Sequence, residues 1–288
     1  MSNQPLWTPP EERKKQSLIS QFINFINKTK SLNINSYEKL HKWSIYQPSE
    51  FWGSVWQFSC VIHQQPASTI LQNAKHIVDC KWFVGSKLNY AENLLHNRDN
   101  TLALIEINEQ GESETTSLSA LKTEVNRLSQ HWRQHGVKPG DRIAAVLPNN
   151  RFAIIAMLAC SSIGAVWSCC SPDFGSDNIL DRLSQISPSH IIITDKHQYK
   201  GKAHDHSDKI QLIQNKLNPR STIILTERSK TSIESSYKSS IRYQDIPKSQ
   251  LPLAFESLPF NHPLMILFSS GTTGKPKCII HGAGGTLL

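Results

Sequence analysis

Between residues 101 and 225, short β-branched and apolar runs alternate with segments of helical period, and that alternation leaves few folds open. Residues 101–107 read as a strand, Gln110-Gly111-Glu112 as a turn, and residues 113–117 as the hairpin partner. A helix follows with Leu121, Val125, Leu128 and Trp132 on one face, and Gly136 stands where a left-handed cap would end it. The series continues as strand 143–147, helix 152–163, strand 166–169, helix 178–186, strand 191–194 and, further on, strand 222–225. This predicts an α/β fold with a largely parallel sheet covered by helices on both faces.

Ahead of that series the chain reads as helical. Residues 11–30 carry Leu18, Ile19, Phe22, Ile23 and Ile26 at helical spacing, with Glu11 and Glu12 at the positive helix end and Lys28 and Lys30 at the other. Ser36 leads a helix over 37–43, and Ser49 leads another over 51–58. The aromatic cluster Trp43, Phe51, Trp52, Trp56 and Phe58 reads as a packing core. Residues 1–98 are therefore expected to form an N-terminal helical segment and residues 99–288 an α/β domain. Residues 227–250 are Ser- and Lys-rich and read as a surface excursion.

Composition removes several function classes. The net charge of +8 comes from scattered basic residues with no interleaved aromatics, which argues against a nucleic-acid interface. No apolar run approaches the roughly 18 residues of a membrane span, and the N-terminus lacks the basic-then-apolar order of a secretory signal, so a cytoplasmic location is expected. Cys60, Cys80, Cys160, Cys169, Cys170 and Cys278 show no C-x-x-C spacing and read as reduced, mostly buried thiols. His131 and His135 lack an intervening glutamate, so a solvated helix face is preferred to a metal site, and His204-Asp205-His206 reads as a surface loop. Asp173 lies beyond a strand's carboxyl end, as a turn-former or facing a ligand.

The segment from Met265 to His281 carries the chemistry. An apolar strand leads into Ser269, Ser270, Gly271, Thr272, Thr273, Gly274, Lys275, Pro276 and Lys277, and a β-branched run follows. The glycines let backbone N–H groups turn inward, the hydroxyls add donors and the lysines add positive charge, a combination suited to polyphosphate. Pro276 after Gly274-Lys275 rules out the Walker arrangement, in which a helix starts there, so the expected element is strand, loop, strand.

This loop resembles the phosphate-binding signature of adenylate-forming enzymes. The continuation CIIHGAGGTLL and the upstream blocks LHKWSIYQPSEFWGSVWQF, WFVGSKLNYAENLL and LPNNRFAIIAMLACSSIGAVWSCCSPDFG resemble the acetoacetyl-CoA synthetase branch of that superfamily, in the same order. The resemblance implies ATP, Mg2+ and CoA as cofactors and acetoacetate or a similar short acid as substrate. The carboxylate would attack the α-phosphate to give an acyl-adenylate and pyrophosphate, and the CoA thiol would then displace AMP. It implies that Ser269 to Lys277 serves the departing phosphates, with Lys277, Thr272 and Thr273 in direct contact. The family's adenine-binding stretch, hinge and catalytic lysine have no counterpart here. The sequence therefore reads as an N-terminal portion, inactive alone, whose partner is a separate C-terminal half, with residues 260–288 poorly protected. A non-catalytic remnant or nucleotide-binding module is the other reading, and a ligase for another short acid stays open.

Overall fold

The computed structural model describes residues 6–73, 75–96, 101–269 and 274–288. The chain divides into two compact units, Met1–Ser86 with Leu288 and Lys87–Leu287.

In the first unit, α1 (Glu11–Gln16), α2 (Leu18–Lys30), α3 (Tyr37–Tyr46) and α4 (Pro48–Phe58) precede the antiparallel pair β1 (Thr69–Gln72) and β2 (Lys81–Val84). The single helix expected over 11–30 is two. Ser17 is extended, its hydroxyl donating to the Lys14 carbonyl at 2.6 Å and accepting from the Ser20 amide at 3.3 Å, so one serine closes α1 and caps α2. Ser36 caps α3 as expected, whereas α4 starts ahead of Ser49, at Pro48, whose missing N–H suits a first helical position. The aromatic residues pack as a core: Phe51 meets Trp43 and Trp52 edge-on at 5.8 and 5.3 Å, beside buried Phe22, Ile26 and Leu40.

The second unit opens with β3 (Lys87–Leu88), α5 (Tyr90–Leu95) and the hairpin β4 (Leu102–Ile107) and β5 (Ser113–Ser117). Then come α6 (Leu118–Gln134), β6 (Arg142–Val146), α7 (Arg151–Ser162), β7 (Val166–Cys170), α8 (Ser176–Leu183) and β8 (His190–Thr194). A second hairpin, β9 (Lys196–Tyr199) and β10 (Lys202–Asp205), leads to α9 (Ser207–Leu217), β11 (Ser221–Leu225), α10 (Lys230–Ser236) and β12 (Ser240–Arg242). The unit closes with β13 (Leu258–Pro259), β14 (Pro263–Ser269), β15 (Lys277–Gly282) and α11 (Ala283–Leu287). Its seven-stranded sheet runs β12-β11-β8-β6-β7-β14-β15, parallel except for β15. Alternate strand residues serve opposite faces. Ile143, Ala145 and Ile192 join α6 and α7, while Ala144, Val146, Ile191 and Ile193 join α8, α9 and α10.

Four expectations need correction. The polar stretch 227–250 carries α10 and the edge strand β12, because Ile233, Tyr237, Tyr243 and Ile246 are buried within its polar composition. His131 is buried, not solvated, and its ring lies tilted against that of His135 with centroids 4.1 Å apart; burial pushes its pKa down to about 4. His206 is likewise buried, against His197. All six cysteines are free, but only Cys160 and Cys170 are buried.

At the sheet's end, Phe260, Leu264 and Ile266 are buried whereas Leu267, Ile279 and Ile280 are 42%, 46% and 62% exposed. The expected weak protection of 260–288 therefore narrows to β15, an edge strand bearing apolar side chains. Hydrogen exchange should be faster at the outward amides of β15 than in β6 or β8, with concentration-dependent association in sedimentation. Slow exchange along β15 in a monodisperse monomer would contradict this.

Candidate functional site

The carboxyl ends of β6, β7 and β14 meet at one edge of the sheet. The chain leaves β6 for α7 on one face and β7 for α8 on the other, a reversal that opens a crevice where α/β ligands bind. Ser269 ends β14 there, and Lys277 lies directly across from it in the antiparallel register. The expected strand, loop, strand arrangement is thus present. Ser270, Gly271, Thr272 and Thr273 lie outside the described residues.

Beyond them Gly274 has φ +145° with open space around its Cα, a backbone state that glycine takes without strain. Lys275 and Lys277 are exposed. Lys275 Nζ lies 3.6 Å from Asp181 Oδ1, and among the described residues Lys277 has no ion-pair partner. Gln185, just past the end of α8, donates from Nε2 to the Pro276 carbonyl at 2.9 Å and to the Asp181 carbonyl at 2.7 Å. The Cys278 thiol points at Gln185 Oε1, 3.6 Å away. Sequence reasoning missed Asp181 and Gln185. Their spacing of four put them on one helical face, but nothing in it named the loop as their partner.

The loop after β7 is fixed by a chain of polar contacts. Asp173 accepts from the Ser171 hydroxyl at 2.7 Å and pairs through Oδ1 with His197 Nε2 at 2.8 Å. His197 Nδ1 in turn meets His206 Nε2 at 2.7 Å. The Ser171 hydroxyl, and after it His197, holds the Asp173 carboxyl below its usual range. Lys209 donates to the Pro172 and Phe174 carbonyls at 2.5 and 3.0 Å. Of the two readings of Asp173, these contacts give the turn-former direct partners.

A separate cavity of about 630 Å³ opens at the ends of β8 and β11, lined by Arg127, Arg151, Phe152, Asp195, Lys196 and Tyr243 among others. Its cations are met within the protein, whereas buried Asp195 keeps Oδ1 without a hydrogen-bond partner among the described residues. Arg127 binds the Tyr243, Gln244 and Ile246 carbonyls, Arg151 pairs with Glu114 and Lys196 with Glu227.

Residues 92–287 match the AMP-binding enzyme family. The chain belongs to that family. Residues 37–94 match the acetyl-coenzyme A synthetase N-terminus. An acetoacetyl-CoA synthetase of Macaca fascicularis is 38% identical over 297 residues, covering 99% of the chain and 44% of the relative. The acetoacetyl-coenzyme A synthetase of Rhizobium meliloti (strain 1021) is 38% identical over 100% of the chain and 44% of the relative. A solved acetoacetyl-CoA synthetase from Streptomyces lividans superposes with a TM-score of 0.92 at 32% identity, covering 98% of the chain and 44% of that protein. The chain thus spans less than half the length of the relatives it matches. Among the described residues no helix is long and apolar enough to cross a membrane.

Proposed function

We propose that the chain supplies the N-terminal portion of an ATP-dependent acid:CoA ligase that converts acetoacetate, ATP and CoA into acetoacetyl-CoA, AMP and diphosphate in the cytoplasm. The observation that carries the reading is the glycine- and lysine-bearing loop between β14 and β15 at the carboxyl edge of the sheet, in a chain similar throughout to acetoacetyl-CoA synthetases.

A carboxylate is a weak nucleophile, so the chemistry asks for charge neutralisation and in-line placement. The acid oxygen attacks the α-phosphorus, the bond to the β-phosphate oxygen breaks, and pyrophosphate leaves with the electron pair. CoA sulfur then attacks the acyl carbon and AMP departs. In this reading Lys277 and Ser269, with Ser270, Gly271, Thr272, Thr273, Gly274 and Lys275, receive the departing phosphates. Magnesium, bound to the nucleotide, would add charge neutralisation to what the lysines supply. The loop's own described side chains are lysines and a serine hydroxyl, which suit phosphate oxygens better than a divalent ion, and the neighbouring Asp181 carboxylate is beside Lys275. The division into a helical segment over 1–98 and an AMP-binding domain over 99–288 belongs to the same proposal.

The test uses pyrophosphate release with ATP, magnesium and acetoacetate. The 288-residue chain alone should release none above background, and release should appear when a polypeptide matching the remainder of the relatives is supplied. Turnover by the chain alone would overturn the division of labour. Magnesium-ATP binding with no release under either condition would favour a nucleotide-binding module instead.

A further inference from the structure

Resting on the phosphate reading of this loop, we propose that Gln185 and Asp181 are positioning residues for it. Gln185 clamps the loop's exit at Pro276, and Asp181 holds Lys275 as a counter-ion that an incoming polyphosphate displaces.

The clamp follows from the hydrogen-bonding capacity of one amide. Gln185 Nε2 spends one hydrogen on the Asp181 carbonyl of its own helical turn, which fixes the side chain, and the other on the Pro276 carbonyl. Oε1 is left to accept from the Cys278 thiol. Pro276 has no N–H, and it immediately precedes β15, the outermost strand. Its carbonyl is held from the side by α8's end, at the point where Lys277 takes its place opposite Ser269.

The second contact is of a different kind. Lys275 and Asp181 side chains are 80% and 42% exposed and sit 3.6 Å apart, a weak solvent-screened pair. It suffices to keep Lys275 beside α8 when no ligand is present, and it yields to a polyphosphate, which offers several charges at once. Asp181 would therefore compete with the ligand, and removing its charge should strengthen binding.

Cys278 reports on the clamp without any ligand. Its iodoacetamide alkylation rate, read by peptide mass spectrometry against exposed Cys60 in the other unit, should rise about two- to fivefold in Gln185→Leu, as expected for a lost neutral hydrogen bond of about 0.5–1 kcal/mol. It should be unchanged in Asp181→Asn. For the exchange, Asp181→Asn should bind magnesium pyrophosphate about two- to fivefold more tightly than wild type, the range of an exposed ion pair, and Asp181→Glu should restore the wild-type value. In a Lys275→Met background the gain should shrink, because its partner is gone. An unchanged Cys278 rate in Gln185→Leu overturns the clamp. Equal or weaker affinity in Asp181→Asn, or a gain that persists undiminished with Lys275→Met, overturns the exchange. Absence of pyrophosphate binding in every variant overturns the phosphate reading and the exchange with it, while the alkylation rate still decides the clamp.

Discussion

Asn89→Ala should lower the stability of the α/β unit by about 2–4 kcal/mol, the sum of a lost helix cap and a buried carbonyl left without a donor. Asn89 is completely buried. Its Oδ1 accepts from the Ala91 and Glu92 amides at 2.9 and 3.3 Å, capping α5. Its Nδ2 donates to the carbonyls of Ser161, Ser162 and Glu256 at 3.1, 3.2 and 3.0 Å, so one side chain joins α5, the end of α7 and the approach to β13. The Ser161 and Ser162 carbonyls also receive the Gly164 and Glu256 amides, which leaves the Glu256 carbonyl as the group that loses its donor. Asn89→Asp separates the two contributions. It keeps the cap but sets a carboxylate against three carbonyls, and it should be at least as damaging as alanine. Urea unfolding would read both variants as a lower midpoint with an unchanged slope. A loss under about 1 kcal/mol for alanine would mean that water replaces the amide.

The residues that were legible in the sequence and those that were not differ in a consistent way. Strands β6, β7 and β8 announced themselves because a sheet buried on both faces needs uninterrupted apolar runs, and Gly136 marked the end of α6 by its left-handed backbone. The strand, loop, strand arrangement around 269–277 was legible because an apolar run, a cluster of glycines, hydroxyls and lysines, and a β-branched run stand next to one another in the chain. Ser17 was misread although its signal was local: a serine followed by a helix is a cap, but strong periodicity on both sides hid the break. Residues 227–250 were misread because Ile233, Tyr237, Tyr243 and Ile246 are diluted by serines and lysines that face solvent. Asn89, Gln185 and the His197–His206 contact were beyond reach for another reason. Each owes its role to partners distant in sequence or packed by the tertiary fold, and a single sequence does not print those pairings.

Lys277→Ala should weaken binding of magnesium pyrophosphate about 10- to 150-fold, the equivalent of the roughly 1.5–3 kcal/mol of a charge-assisted hydrogen bond. The two lysines of the loop differ in their surroundings. Lys275 already has the Asp181 carboxylate beside it, so its charge is partly answered before any ligand arrives. Lys277 is exposed, stands opposite Ser269 at the mouth of the loop, and among the described residues has no ion-pair partner. A phosphate entering there meets its ammonium without first breaking a contact. Lys275→Ala should therefore cost less, about two- to fivefold, since Asp181 offsets part of what that lysine can give. Because Lys277 is already solvated, its truncation removes charge without opening a cavity, and the variant should unfold at the wild-type urea midpoint. Titration calorimetry at two salt concentrations checks the assignment: the wild-type affinity should fall more steeply with salt than that of Lys277→Ala. Equal affinity in the two proteins would take Lys277 out of the site, and a larger loss for Lys275→Ala than for Lys277→Ala would reverse the order that Asp181 imposes.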